Sequence, residues 1–332
     1  MQVEELRLCL ETLNLCRATN AIGTSNSYVT FSGGYGYTEN VTSACSYDFD
    51  LGVSCAFDPT KVIKFLKKLK GDSVLKVSKD GGKIIFKTKK HRVTVDNVIV
   101  DTDIIDMSFD EFIPIDIMSD IHSYLKYIDP RPDKYQLTFC QCKDNGITVT
   151  NGKFLIHKEY DSGSFGEFYI NLKAQSMLAK NTPTHYYNGD RKLFLKCEKC
   201  VYIIKQATPE ELKYPDIAPI VSICADDVVV NLTPDQASEL INCLSQASIF
   251  TDMITLTFDT HIGGETSDYS FMTDIESDWN KPIKIDIKFL LKALQSVPSD
   301  VDLVLSCNNG FTTISADIDG GKIKCVIANM RF

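Results

Sequence analysis

The clearest hydrophobic pattern in the chain is its last one. From Asp286, which occupies an N-cap position, Phe289, Leu290, Ala293 and Leu294 recur at helical spacing while Lys288 and Lys292 share the other face. Past Pro298, Val301, Leu303 and Leu305 alternate with polar residues, and Asn308-Asn309-Gly310 marks a turn. Thr312 to Ala316 alternates again, and Asp319-Gly320-Gly321 turns into a final strand over 322–328. The pattern predicts an amphipathic helix followed by three strands.

Two earlier stretches repeat this plan. Val3, Leu6, Leu10 and Leu13 predict a helix over 3–18, and strand-like runs follow at 28–32 and 41–57. A second helix opens at Asp58-Pro59 with Val62, Phe65, Leu66 and Leu69 as its apolar stripe, then strands are expected at 73–78, 83–88 and 92–95. After an acidic linker at 100–111 the plan restarts at Pro114, with Ile117, Ile121, Leu125 and Ile128 in helical register. Strands over 135–141, 147–150 and 154–160, a helix from Asn171 and strands at 192–197 and 200–205 complete this second unit. A proline-bearing connector leads to a third, which opens with a strand at 227–231 and the capped helix from Thr233. The first-turn lysines of the second helices, Lys61, Lys173 and Lys288, stand 112 and 115 residues apart. A period this long marks whole domains, so an α+β chain of three tandem domains is expected, at 1–108, 109–220 and 221–332.

Composition narrows the function. Hydrophobic residues make up 44% of the 332, and no apolar run approaches a membrane span. The N-terminus reads as an acidic helix instead of a leader, which points to a cytoplasmic protein. The twelve cysteines fall mostly at buried positions and read as reduced core thiols. Cys197 and Cys200 lie in an alternating run without a second CxxC, so they read as hairpin residues more than as a metal pair. A net charge of -9 argues against a surface that binds nucleic acid everywhere, but it permits a local basic face.

Such a face is suggested by the second helices. They carry Lys61, Lys64, Lys67, Lys68 and Lys70 in the first unit, Lys173 and Lys180 in the second, and Lys284, Lys288 and Lys292 in the third. On one helix this is an ordinary solvated face. Recurring in three units, it suits phosphate contacts without base readout. His91, His122, His157, His185 and His261 are scattered, no metal spacing or phosphate loop is present, and no carboxylates pair as acid and base. No enzyme activity, metal or cofactor is expected.

Taken together, three such units, lysines on the repeated helices and the ending VIANMRF resemble the bacterial-type DNA sliding clamp, the beta subunit of the replicative polymerase. The closing Met330, Arg331 and Phe332 fit that family, as does the turn from Val149 to Leu155 and the connector Lys213-Tyr214-Pro215-Asp216. The resemblance implies a homodimeric ring around duplex DNA, with helices lining the hole and sheets outside, and partners including DNA polymerase and a clamp loader. The setting it implies is the bacterial or infected-host cytoplasm, at the nucleoid. A partner-peptide groove would be walled by Thr150, Gly152, Lys153, Phe154, Leu155, Pro215, Ile220, Val326, Ala328, Met330 and Arg331. Lys61, Lys64, Lys67, Lys68, Lys173, Lys288 and Lys292 would face DNA, with Arg17 and Arg131 nearby. The dimer interface would use Val93 and Val95 on an edge strand against Ile249 and Phe250. Asn329, Ala328, Pro219 and Phe154 depart from the family pattern, and with the shorter chain they suggest a divergent phage or viral member. The alternative reading is a monomeric DNA-binding accessory factor of a polymerase or of transcription that closes no ring.

Overall fold

In the computed structural model, residues 1–18, 27–100, 111–128, 134–223, 228–258, 261–276, 282–308 and 310–330 are described. Residues 101–110 of the expected linker, Asn309, Arg131, Arg331 and Phe332 lie outside them. One plan recurs three times. The first copy runs α1 (Val3–Asn14), β1 (Val29–Ser32), β2 (Tyr35–Glu39), β3 (Ser43–Asp48), β4 (Cys55–Phe57), α2 (Thr60–Leu66), β5 (Lys76–Asp80), β6 (Lys83–Lys87) and β7 (Arg92–Asp96). In the second, β8 (Ile113–Pro114) precedes α3 (Met118–Leu125), β9 (Phe139–Lys143), β10 (Gly146–Thr150), β11 (Phe154–Tyr160), β12 (Phe168–Asn171), α4 (Gln175–Lys180), β13 (His185–Gly189), β14 (Lys192–Lys196) and β15 (Cys200–Lys205). The connector contributes two short helices, α5 (Pro209–Leu212) and α6 (Ala218–Val221). The third copy is β16 (Val228–Leu232), α7 (Pro234–Ala247), β17 (Met253–Phe258), β18 (His261–Glu265), β19 (Ser270–Glu276), β20 (Ile283–Asp286), α8 (Ile287–Ser296), β21 (Leu303–Cys307), β22 (Phe311–Ile318) and β23 (Gly321–Ala328).

Strand pairing repeats with the same fidelity. The four strands after each first helix are ordered β4-β1-β2-β3, β12-β9-β10-β11 and β20-β17-β18-β19, all antiparallel. The last strands run β5-β6-β7, β8-β13-β14-β15 and β16-β21-β22-β23. Antiparallel pairing of β3 with β15, and of β11 with β23, fuses these into two eight-stranded sheets. Edges β7 and β19 have no such neighbour among the described residues.

The chain packs as two compact units, 1–122 with 173–208, and 123–172 with 209–332. In the first, α1 buries Val3, Leu6, Leu10 and Leu13, and α2 buries Val62, Ile63 and Leu66 beside it. Phe57 stacks on Phe31 with centroids 5.9 Å apart and meets Phe86 edge-on at 5.3 Å. Those rings come from β1, β4 and β6, so the core joins both sheets of the first copy. Full burial of each ring contributes about 2–3 kcal/mol. In the second unit Thr233 and Gln236 form a reciprocal capping box on α7, and the Asp286 carboxylate accepts from the Lys288 amide to cap α8. Ile287, Leu290, Ala293 and Leu294 form the buried stripe of α8, while Phe289 is half-buried.

Several expected elements shift. Tyr135–Thr138 is a 3-10 turn, its Thr138 hydroxyl bonded to the Tyr135 carbonyl, and the strand begins only at Phe139. The run over 41–57 divides at Gly52, whose φ of 77° makes a turn in which its amide donates to the Asp50 carboxylate. The strand expected from Ser73 begins at Lys76, and β12, β13 and β17–β20 were not anticipated by any periodicity. Ten of the eleven described cysteines are buried and all eleven are free thiols; Cys197 and Cys200 close the β14–β15 turn, with the Cys197 amide donating to the Cys200 carbonyl at 2.8 Å. His122 is half-buried. No described helix is long and apolar enough to cross a membrane.

Gly321 sits opposite Tyr160 at the start of the β11–β23 junction, where a Cβ would collide with the Glu159 carbonyl oxygen. Backbone cannot yield as a side chain can. Gly321→Ala is expected to destabilise the fold by about 2 kcal/mol or more in chemical denaturation, whereas Gly82→Ala, in open space at a hairpin turn, is expected to change little.

Candidate partner groove and DNA-facing surface

The groove residues come together on the second eight-stranded sheet. At the β10–β11 turn the Asn151 carboxamide oxygen accepts from the amides of Lys153 and Phe154, and the Thr150 hydroxyl donates to the Phe154 carbonyl at 2.8 Å. The same turn recurs in the other copies, with Asn40 accepting from Thr42 and Ser43, and Thr266 from Asp268 and Tyr269. β11 then pairs with β23 so that Leu155 faces Val326, and the Ala328 amide donates to the Lys153 carbonyl. The tail is held beyond Ala328. Asn329 donates to the Asn308 carbonyl at 2.7 Å and accepts from Thr312 at 2.8 Å, and the Met330 amide donates to the Lys284 carbonyl. Those side-chain bonds give Asn329 a fixing role at the end of β23. Met330 stays 46% exposed, an apolar side chain at the end of the strand.

Above the same sheet lies the connector. Tyr214 donates weakly to the carbonyls of Phe139 and Thr148, stacks near Tyr169, and α6 packs on β23, bringing Pro215 and Ile220 to half-buried positions. Thr150, Leu155 and Val326 form the buried floor, and Gly152 and Lys153 the exposed rim. Phe154 is a correction. Neighbouring strand residues point to opposite faces, and Phe154 stacks on Phe289 of α8 at 5.9 Å, so it packs under the sheet and cannot wall a groove with Leu155.

The lysines sort unevenly. Lys61, Lys64 and Lys68 on and after α2, Lys173 before α4, and Lys288 on α8 are exposed. Lys67 pairs with Glu11 at 3.3 Å, as Lys180 does at 3.0 Å. Burial pushes the Glu11 carboxyl up, and these two lysines more than offset it, holding it below the usual carboxylate range. Lys288 pairs with Asp252, and Lys292 is half-buried with its ammonium near the Tyr127 carbonyl. Arg17 is a second correction. Its guanidinium donates to Asn14, to the Ser27 carbonyl, to Asp58 and to Thr60, so it ties the end of α1 to the start of α2. Sequence reasoning missed this because three of the four partners lie 10 to 43 residues downstream.

At the open edges, Val95 is buried in the core and Val93 half-buried, leaving Arg92, Thr94 and Asp96 on the outward face of β7. Ile249 and Phe250 are 78% and 54% exposed, and Phe250 stacks on Tyr269 at the head of β19. Exposed apolar side chains beside an unpaired strand are the features of an interface.

Comparison with solved structures gives full-length matches. A Helicobacter pylori beta clamp bound to a DNA ligase peptide superposes with a TM-score of 0.80 at 14% identity, covering 100% of this chain and 99% of that one. The DNA polymerase III subunit beta of Pseudomonas aeruginosa gives 0.81 at 15% with the same coverage. The chain has the sliding-clamp fold. A putative beta subunit from Eubacterium rectale gives 0.81 at 16%, covering 98% of that chain. No protein-family model matches the sequence, and no curated protein does. In this clamp fold the sheet face beneath the connector holds His157, whose ring accepts or donates through Nδ1 to the Thr148 hydroxyl at 2.8 Å.

Burial pushes the His157 imidazole below its ordinary pKa, with Glu159 opposing weakly. The unfolded chain therefore takes up a proton near pH 6.5 while the folded chain resists it. Stability from this group is complete above that pH and declines as pH falls below it. Denaturation at pH 7.5 and 5.5 is expected to show the decline, and His157→Gln to make it shallower.

Proposed function

We propose that the chain is a DNA sliding clamp: a homodimer that closes a ring around duplex DNA and tethers DNA polymerase, without chemistry of its own. The observation that carries this reading is the pair of open edges. Within the chain, the third strand of one copy's first sheet pairs with the last strand of a neighbouring copy's second sheet, twice. Of the equivalent strands among the described residues, β19 and β7 are left over, and a second subunit supplies the missing partner for each. Two subunits then make a closed cycle of six such copies, which we place at 1–108, 109–220 and 221–332 in each chain.

Register and charge support the pairing. Counting from the equivalent turns, the β11–β23 pattern, which sets Glu159 opposite Lys322, sets Asp274 of one subunit opposite Arg92 of the other, and the β3–β15 pattern, which sets Ser46 opposite Val201, sets Met272 there, so both bring Arg92 to the Met272–Asp274 stretch of the edge. Residues 59–96 hold twelve Lys and Arg against three Asp and Glu, a net of +9, whereas 233–276 hold eight Asp and Glu and no Lys or Arg. Opposed fields of this size steer association and set orientation. Ile249 and Phe250 add the apolar contact.

In this ring Lys61, Lys64, Lys68, Lys173, Lys288 and Lys292 face the phosphates, with Lys67 shared between Glu11 and DNA. Their contacts are weak and independent of sequence, which permits sliding, because topology provides the retention. Thr150, Gly152, Lys153, Leu155, Pro215, Ile220, Val326, Ala328 and Met330 hold the apolar peptide of a polymerase or clamp loader. Tethering raises the polymerase's local concentration at the primer end.

Retention on DNA tests encirclement. The protein is expected to stay on nicked circular DNA and to leave once the circle is linearised; equal release from both contradicts the reading. Lys64→Glu with Lys68→Glu is expected to shorten retention by about tenfold or more in low salt. Arg92→Glu is expected to weaken the dimer at least about tenfold, and the added change Asp274→Arg to restore it.

A further inference from the structure

A row of polar side chains crosses the connector-covered face of the second eight-stranded sheet: Tyr169, Gln141, Thr148, His157 and Lys324, each opposite the next. Gln141, Thr148 and Tyr169 are at most 7% exposed. Polar groups at such positions cost stability unless they are paired or used. Beside them, under α5 and α6, lies a cavity of about 660 Å³.

The lining has a consistent chemistry. The Tyr169 and Tyr214 rings stand 5.7 Å apart at 48°. Glu159, Glu167 and Asp216 bring carboxylates, against Lys143 at the exposed rim and His157, whose burial disfavours its charged form. Glu167 accepts from the Tyr169 hydroxyl at 2.5 Å. Gln141 Nε2 donates to Glu167 at 3.4 Å and to Tyr169 Oη at 3.3 Å, an orientation fixed because a carboxylate only accepts. This leaves Gln141 Oε1, on a side chain more than nine-tenths buried, without a donor among the described residues. A cation with N–H donors is the chemical complement of these carboxylates and of that carbonyl oxygen.

We propose that this cavity binds the side chain of an arginine or lysine that flanks the apolar anchors of the partner peptide. The guanidinium or ammonium lies against Tyr169 and Tyr214, pairs with Glu167 and donates to Gln141 Oε1. Geometry favours a flanking residue. Thr148 and His157 stand two residues from Thr150 and Leu155 on the same face, so the cavity begins about 7 Å from the groove floor. The identity of the donor chain rests on the groove reading, but the cation site itself does not.

The test uses the full chain with ¹³C-labelled Tyr and His and two probes of one shape, N-acetyl-arginine amide and the neutral N-acetyl-citrulline amide. The arginine probe is expected to shift the Tyr169 and His157 signals at millimolar concentration and the citrulline probe to bind about tenfold more weakly. Glu167→Gln is expected to remove that difference. Equal shifts from both probes, or none from either, overturn the site whatever the groove does. The groove is tested apart, with Ac-Leu-Ser-Leu-Phe-amide against wild type and Leu155→Asp. If the arginine probe binds as expected and this peptide does not, the cation site stands and the groove reading fails. Appending Arg to that peptide is expected to tighten binding about fivefold in wild type and not in Glu167→Gln; equal tightening in both overturns the assignment to Glu167.

Discussion

The assembly of the sheets depends on the hydrogen-bonding demand of strand edges. A β-strand at the end of a sheet presents unpaired amides and carbonyls, and these need water, a covering element or another strand. This chain meets the demand internally at β3–β15 and β11–β23, with continuous antiparallel register across each junction. Two eight-stranded sheets result, and the smaller sheets ending at β7 and β19 are the same structure left unfinished. A repeat whose copies join by one rule makes the absent junction specific in strand and direction.

Charge acts on top of that geometry. A chain with a net charge of -9 should repel both DNA and a second copy of itself. Concentrating cations in 59–96 and acids in 233–276 turns the same composition into two opposed surfaces. The α2 lysines project from a helix, while Lys76, Lys87 and Arg92 stand directly opposite one another across β5, β6 and β7. Like charges so placed oppose sheet formation, and an acidic neighbour relieves them. In the proposed ring the two basic features answer different needs, phosphate contact for the helix and subunit contact for the sheet.

Much of the fold was legible where a local signal coincides with a local cause. Asp286 and Thr233 cap the helices that their positions predicted, the α8 stripe is buried apart from the half-buried Phe289, and the three-copy period follows from helices that recur in the element order. The strands of 253–286 were illegible because β18 carries Gly263 and Gly264 at a bulge, where Phe271 fills the space a side chain would need. The site was less legible. Phe154, Leu155 and Ile156 are all buried, because helix covers one face of the sheet and connector the other, so alternation does not reveal which residue faces the groove. The part of Arg17 in the fold and the polar row through Gln141 depend on partners far along the chain, which no short motif encodes.

Oligomeric state tests the central claim most directly, since ring closure depends on two unpaired edges finding each other. Sedimentation equilibrium at micromolar concentration in low salt is predicted to give twice the 37.2 kDa chain mass, falling toward the monomer as salt rises. A single 37.2 kDa species at every concentration and salt would contradict the account.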